Sequence, residues 1–173
     1  VDAGTLATDS VDSAELIAGS IDTAHIGTDQ ITSAILPAGS VLQVVRVDST
    51  TQLSTTSGWV DIHASDLSIT AKATGSKYHF FITNNGCSNN GGGSAFGFQL
   101  DGSQSTLLAT HFNYAGANDG RMSFAASTVL TGTTTAGVTS SYNCQFKNTN
   151  GTVTVIVGNN GGMCSLVVME VAG

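Results

Sequence analysis

Apolar side chains recur at every fifth position through the first 41 residues, at Val1, Leu6, Val11, Leu16, Ile21, Ile26, Ile31, Leu36 and Val41. A period of five fits neither the 3.6-residue turn of a helix nor the twofold alternation of a strand, so each stretch of ten residues has to contain a turn. The full unit is ten residues long, with a small residue at its fourth place (Gly4, Ala14, Ala24, Ala34). It predicts a short extended piece carrying Val11 or Ile21, one helical turn through the small residue to Leu16 or Ile26, and a Gly, Asp or Ser corner. Asp2, Asp12, Asp22 and Thr32 share the place that would cap this turn, and Glu15, three residues after Asp12, would complete a capping box. These aliphatics are too few to offset the entropy of ordering the segment in a single chain. The repeats therefore predict a core shared by several copies around one axis, with threefold symmetry expected. The Thr, Ser, Ala, Gly and Asp-rich composition would also fit a flexible linker, but the unbroken register of the aliphatics argues for a shaft.

Beyond Pro37 and Gly39 the rhythm stops and short β-type runs alternate with turn-formers, which sets a boundary between repeats at 1–40 and a second region at 41–173. Strands are predicted at 41–47, 59–63, 67–73, 78–83, 95–100, 105–110, 124–130, 141–147, 153–158 and 165–172. This many short strands, with no amphipathic helix between them, predict an all-β fold, a β-sandwich or jelly roll. Alternation assigns Tyr78, Phe80, Ile82, Phe96, Phe98, Leu100, Val153, Val155, Val157, Leu166 and Val168 to the core. The Asn, Asp and Gly-rich pieces at 84–93, 101–104, 148–151 and 159–162 are expected to be hairpin turns, where positive φ is needed.

Charge sharpens the division. The first 40 residues carry only acids among their ionisable charges, whereas the remainder is nearly balanced, so most of the net charge of −7 belongs to the repeats. So few bases on an acidic chain speak against nucleic-acid binding. No stretch is long and apolar enough to insert into a membrane, and no signal-peptide pattern is present. With a start at Val1 rather than Met, the true N-terminus is expected to be missing, either processed away or part of a longer protein that continues the shaft. Cys87, Cys144 and Cys164 are odd in number and lack metal-ligand spacing, which favours free thiols; a Cys87–Cys164 pair is the alternative, since each lies beside an Asn-rich piece.

Five pieces in order, VLQVV at 41–45, STTQLSTTSGWVDI at 49–62, LSITAKATGSKYHFFI at 67–82, FGFQLDGSQ at 96–104 and SLVVMEVA at 165–172, resemble the trimeric head domains at the ends of bacteriophage tail fibres and related viral fibres. The decades before them look like fibre-shaft repeats. The resemblance covers 41–173 and implies a head of the complement- and tumour-necrosis-factor-type jelly-roll kind, packed as a homotrimer on a repeat shaft. It departs from the family at Ala71, where a proline is usual, and at Leu100, where an arginine usually precedes the DG turn, so no subunit contact is carried over to those residues.

Candidate chemistry is sparse. His25, His63, His79 and His111 form no HxH or HExxH spacing, although three copies of His25 on an axis could hold a metal ion. No nucleophile elbow occurs. Asp61, Asp66, Asp101 and Asp119 could pair for glycoside hydrolysis, but enzymes of that kind generally need a longer groove-forming domain. The shaft carboxylates could bind Ca²⁺, yet capping already explains their placement. No catalytic residue, cofactor or metal is therefore assigned.

For binding, the segment 111–122 combines Phe112, Asn113, Tyr114, Asn118, Asp119 and Arg121, a set suited to stacking on sugar faces and bonding their hydroxyls; Asn89 and Asn90 form a second candidate. A trimer-interface or ordinary surface loop is the other reading of 111–122. Which loops reach the free tip depends on whether 59–63 and 67–73 form one bent strand or two. The expectation is a non-enzymatic virion fibre. Its partners would be its own copies, other virion proteins through the upstream region, and a host-surface glycan or protein. A connector fibre and a secreted lectin-like adhesin are the alternatives.

Overall fold

The computed structural model describes residues 21, 24–27, 30–90, 94–102, 106–113, 121–130, 134–149 and 154–173. The chain divides into two compact units, Val1–Leu36 and Pro37–Gly173. In the first, turns occupy 24–25 and 33–35, as the ten-residue rhythm predicts, and the Ile35 amide donates to the Thr32 carbonyl at 3.0 Å. Ile21, Ile26 and Ile31 are exposed in the single chain, and Leu36 is half-buried. Val1, Leu6, Val11 and Leu16 lie outside the described residues.

The second unit is built of strands β1 Val41–Ser49, β2 Leu53–Thr55, β3 Val60–Asp61, β4 Leu67–Thr70, β5 Lys77–Asn90, β6 Ser94–Gly102, β7 Thr106–Asn113, β8 Arg121–Leu130, β9 Thr139–Asn148, β10 Thr154–Val157 and β11 Cys164–Val171. Every strand expected from sequence has a counterpart, and β2 is added within the Ser/Thr run. The pairings make two antiparallel sheets. In sheet A, β1 pairs with β11, and β2 with β10. Both β11 and β10 pair with β5 in one direction, so β1 with β2, and β10 with β11, are two interrupted strands lying end to end. On its other side β5 pairs with β8. In sheet B, β3 and β4 both pair with β9, which pairs with β6, which pairs with β7. The pieces at 59–63 and 67–73 are thus one interrupted strand.

The chain is tied in at the Val41 end, where Gly39 donates to the Ala172 carbonyl at 2.9 Å and Ala172 donates to the Ser40 carbonyl at 2.9 Å. Val41 itself opens β1 opposite Val171.

Inward alternation fills the space between the sheets. Tyr78, Phe80, Ile82, Phe98, Leu100, Val155, Val157, Leu166 and Val168 are buried as predicted, joined by Ile62, Leu67, Ile69, Tyr142 and Phe146. The side chain of Phe96 and residue Val153 lie outside what is described. Phe98 stacks on Phe124 at 4.1 Å between centroids, and Phe80 meets Tyr142 edge-on at 4.8 Å.

Three of the four expected hairpin turns take other forms. Residues 84–90 continue β5, with a register shift between Asn84 and Cys87 that absorbs the Asn-Gly pair as a bulge. The piece at 148–151 links β9 to β10, which belong to different sheets. The piece at 159–162 interrupts the β10 and β11 row without reversing it; its positive φ angles, 55° at Asn160 and 72° at Gly161, make a short 3-10 detour. Asn and Gly mark the backbone conformation correctly but do not say whether the chain returns on itself. Only 101–104 lies between paired neighbours, β6 and β7.

Candidate functional site

The registers gather most of the sequence-predicted binding residues at one end of the sandwich. Asn89 and Asn90 sit not in a loop but at the end of β5, opposite Val155 and Thr154. Arg121 opens β8 opposite Ser88. Phe112 and Asn113 close β7 opposite Ala95 and Ser94. The strand ends bracketing 91–93, 114–120 and 150–153 therefore converge, far from Val41, because each of these connections crosses between the sheets. Tyr114, Asn118 and Asp119 lie outside the described residues. The sequence proposed two separate segments; the fold makes them neighbours.

The two outer faces differ in chemistry. Across sheet A, Val44, Met169, His79 and Val129 align in one row, with Val167 and Phe81 in another. Val44 is 59% exposed, and Phe81 and Val129 43% each. Across sheet B several of the described outward side chains bond one another. Gln99 donates to Gln145, which donates to Asp61. Ser68 bonds Ser141 at 3.2 Å, Thr70 bonds Thr139 at 2.8 Å, and the Lys147 ammonium lies 4.6 Å from the Trp59 ring centre. Sheet A also carries polar contacts on its outer face, where Arg46 donates to Asp48 at 2.7 Å and to Ser165 at 3.2 Å, so its exposed apolar side chains stand among half-buried and polar neighbours.

Near the Val41 end the fully buried Glu170 is held by a nest of donors. Its carboxylate accepts from the amides of Lys72 and Ala73 at 2.9 and 3.2 Å, from the Ser76 hydroxyl at 2.6 Å and from the Gln43 amide. These bonds fasten the link between β4 and β5 under β11. The phase of Leu166 and Val168 already pointed position 170 inward, so a glutamate there was the available signal.

Beside it the buried Tyr78 hydroxyl has no hydrogen-bond partner among the described residues. Burial, then the Glu170 charge, then Tyr142 push its pKa up to about 12. Removing an unpaired buried hydroxyl relieves its desolvation penalty, so Tyr78→Phe is expected to raise stability by about 1 kcal/mol. Urea denaturation checks this; a lowered midpoint would mean that the hydroxyl is bonded.

Deeper in the core, Cys87, Cys144 and Cys164 are free thiols, all buried. Cys87 and Cys164 come from sheet A and Cys144 from sheet B, and all three belong to the buried core between the sheets. Cys144 lies on β9 of sheet B and Cys164 on β11 of sheet A, and the His63 imidazole lies against the Cys164 carbonyl, with Nε2 at 3.4 Å. The Cys144 contact lowers the Cys164 pKa; burial opposes this, and His63 adds to the lowering. Burial also disfavours the His63 imidazolium, but Cys164 and Asn143 outweigh it and leave the His63 pKa raised. Asn143 clamps the bend between β3 and β4: its oxygen accepts from the His63 amide at 3.2 Å, and its nitrogen donates to the His63 carbonyl at 2.9 Å and to Asp66 at 3.0 Å. Among the described residues, no group of three or more His, Cys, Asp or Glu side chains is placed to hold a metal ion.

No family model and no curated protein sequence matches the chain. Among solved structures it is similar to infectious bursal disease virus, Gx strain, at 15% identity and a TM-score of 0.35, over 75% of this chain and 36% of that one. It is also similar to the CBM22-1-GH10 modules of Clostridium thermocellum xylanase 10B, at 15% identity and a TM-score of 0.30, over 75% and 26%. A subviral particle of infectious bursal disease virus VP2 follows at 13% identity and a TM-score of 0.19, over 75% and 39%. The chain thus spans well under half the length of each. None reaches a TM-score of 0.5, and the assignment as an all-β, two-sheet sandwich rests on the strand pairing itself.

Proposed function

We propose that the chain is a non-enzymatic virion fibre protein, a homotrimer whose repeats form a shaft and whose sandwich is a jelly-roll head that binds a host-surface glycan or protein. The observation that carries this reading is the polarity of the sandwich: the chain is tied in at the Val41 end, and the candidate binding segments meet at the other. The strand order, β1–β11–β5–β8 against β4–β9–β6–β7 with repeated crossings between sheets, is that expected of a jelly roll. Apolar side chains exposed on the repeats and on the outer face of sheet A favour association of copies. Three sites on one support would convert weak individual binding into lasting attachment.

Light scattering is expected to give three times the 17.5 kDa of one chain, and the trimer to block virion adsorption in competition. Arg121→Glu is expected to weaken that block at least roughly tenfold, the loss of about 1.4 kcal/mol, while the trimer stays intact. A stable monomer would overturn the fibre reading, and an intact trimer without effect on adsorption would assign the head to assembly.

A further inference from the structure

The outer face of sheet B carries an aromatic ring laid across its strands. Trp59 precedes β3, whose Val60 pairs with Phe146, so the indole starts beside Lys147 on β9. Lys147 in turn pairs with Gly97 on β6. The indole reaches that glycine: a Cβ on Gly97 would meet Trp59 Cη2 at 3.4 Å and Thr149 Cγ2 at 2.8 Å. Glycine within a strand marks a close approach, and here it makes room for the far edge of a ring that comes from two strands away. The Lys147 ammonium sits 4.6 Å from the ring centre, and Trp59 and Lys147 are both only half-buried.

The next outward row, about 7 Å along the strands, is Asp61, Gln145 and Gln99. Gln99 donates to Gln145, and Gln145 donates to Asp61 at 2.6 Å. The amide donors are thus used within the row, while the Gln99 side-chain oxygen and the second Asp61 oxygen stand outside this chain as acceptors. Both rows adjoin the end where the candidate binding segments meet. Gly97 is three residues, about 10 Å, along β6 from Ser94, which pairs with Asn113.

We propose that this face is a platform for a neutral pyranose glycan, with the C–H face of one sugar ring stacked on Trp59. Its hydroxyls donate to the Gln99 and Asp61 oxygens and accept from the Lys147 ammonium. One ammonium and one carboxylate flank the ring, so their charges cancel, and an anionic sugar gains nothing over a neutral one. The proposal rests on the reading of a glycan-binding head and supplies its sugar class and stacking residue. It fails separately from that reading, because sugar binding is read on the chain in solution, without virions.

Trp59 is the single tryptophan of the chain, so its fluorescence reports on the platform directly. The full chain is titrated with lactose, cellotetraose and maltotetraose, and with sorbitol, which has the hydroxyls but no ring face to stack. A saturable change in emission is expected with at least one of the three sugars, half-complete below about 10 mM, and none with sorbitol. By calorimetry Trp59→Ala is expected to weaken binding of that sugar at least roughly tenfold, and Gln99→Ala by a similar factor, with the indole still reporting. If Trp59→Ala does not fold, Gln99→Ala decides alone. No saturable change with any of the three sugars, an equal response to sorbitol, or undiminished binding in Gln99→Ala would each overturn the assignment.

Discussion

Glu170→Ala is expected to destabilise the sandwich by about 3 to 5 kcal/mol, because the substitution removes the fully buried carboxylate on which four donors converge. The amides of Lys72 and Ala73, the Ser76 hydroxyl and the Gln43 amide all point at this one carboxylate. A methyl group accepts from none of them, and the site is closed to water at 0% exposure. Glu170→Gln separates charge from shape. Its amide oxygen can keep one set of donors, but its nitrogen would face Gln43, whose own amide also serves the Thr70 carbonyl at 2.7 Å. Its cost is expected to be about 1 to 2 kcal/mol. Urea midpoints at pH 7 for the two variants and the wild type check the order. An alanine variant within roughly 0.5 kcal/mol of the wild type, the scatter of ordinary surface substitutions, would show that the nest does not hold the sandwich.

How much of this was legible in advance follows from which forces act locally. The inward rows of β5, β10 and β11 could be read from alternation, because burial acts on each strand separately. The same phase carried Cys144, between Tyr142 and Phe146, and Glu170, after Leu166 and Val168, into the interior. What alternation cannot supply is which strand lies opposite, and the carboxylate nest depends on that. The odd number and spacing of the cysteines favour free thiols over a Cys87–Cys164 pair, and all three are free and buried. The binding segments show the reverse case. Their composition was visible, but their convergence needed the knowledge that β3 and β4 share one row.

Repeats tell a related story. Ile21, Ile26 and Ile31 remain exposed in one chain, so the described fold of a single copy does not bury the apolar positions of the period of five. On sheet A, Val44, Phe81 and Val129 are open to solvent, whereas on sheet B Ser68 bonds Ser141, Thr70 bonds Thr139 and Gln145 bonds Asp61. Under the fibre reading proposed above, further copies of the chain would cover both.

Gly158→Ala is expected to cost about 3 to 4 kcal/mol and to separate β2 from β10 before the rest of the sandwich melts. Two effects add at this position. The backbone is left-handed, with φ at 68°, which alone costs an L-residue with a Cβ roughly 1 to 2 kcal/mol. A Cβ would also press into the Thr51 carbonyl and against the Gln52 Cα at 3.2 Å. Those are backbone atoms of the link between β1 and β2, and they cannot rotate aside as a side chain would. Relief requires the link to move, and Leu53 immediately beyond it pairs with Val157. Gly137→Ala supplies the comparison, since its φ is 83° but nothing lies within 4 Å of the added carbon. It should lose only the conformational part, about 1 to 2 kcal/mol. Thermal melts of both variants, with amide exchange at Val155 and Val157 as the local readout, resolve the two contributions. Equal losses in the two variants would show that the link yields freely, and that β2 is held to the sheet less firmly than its register implies.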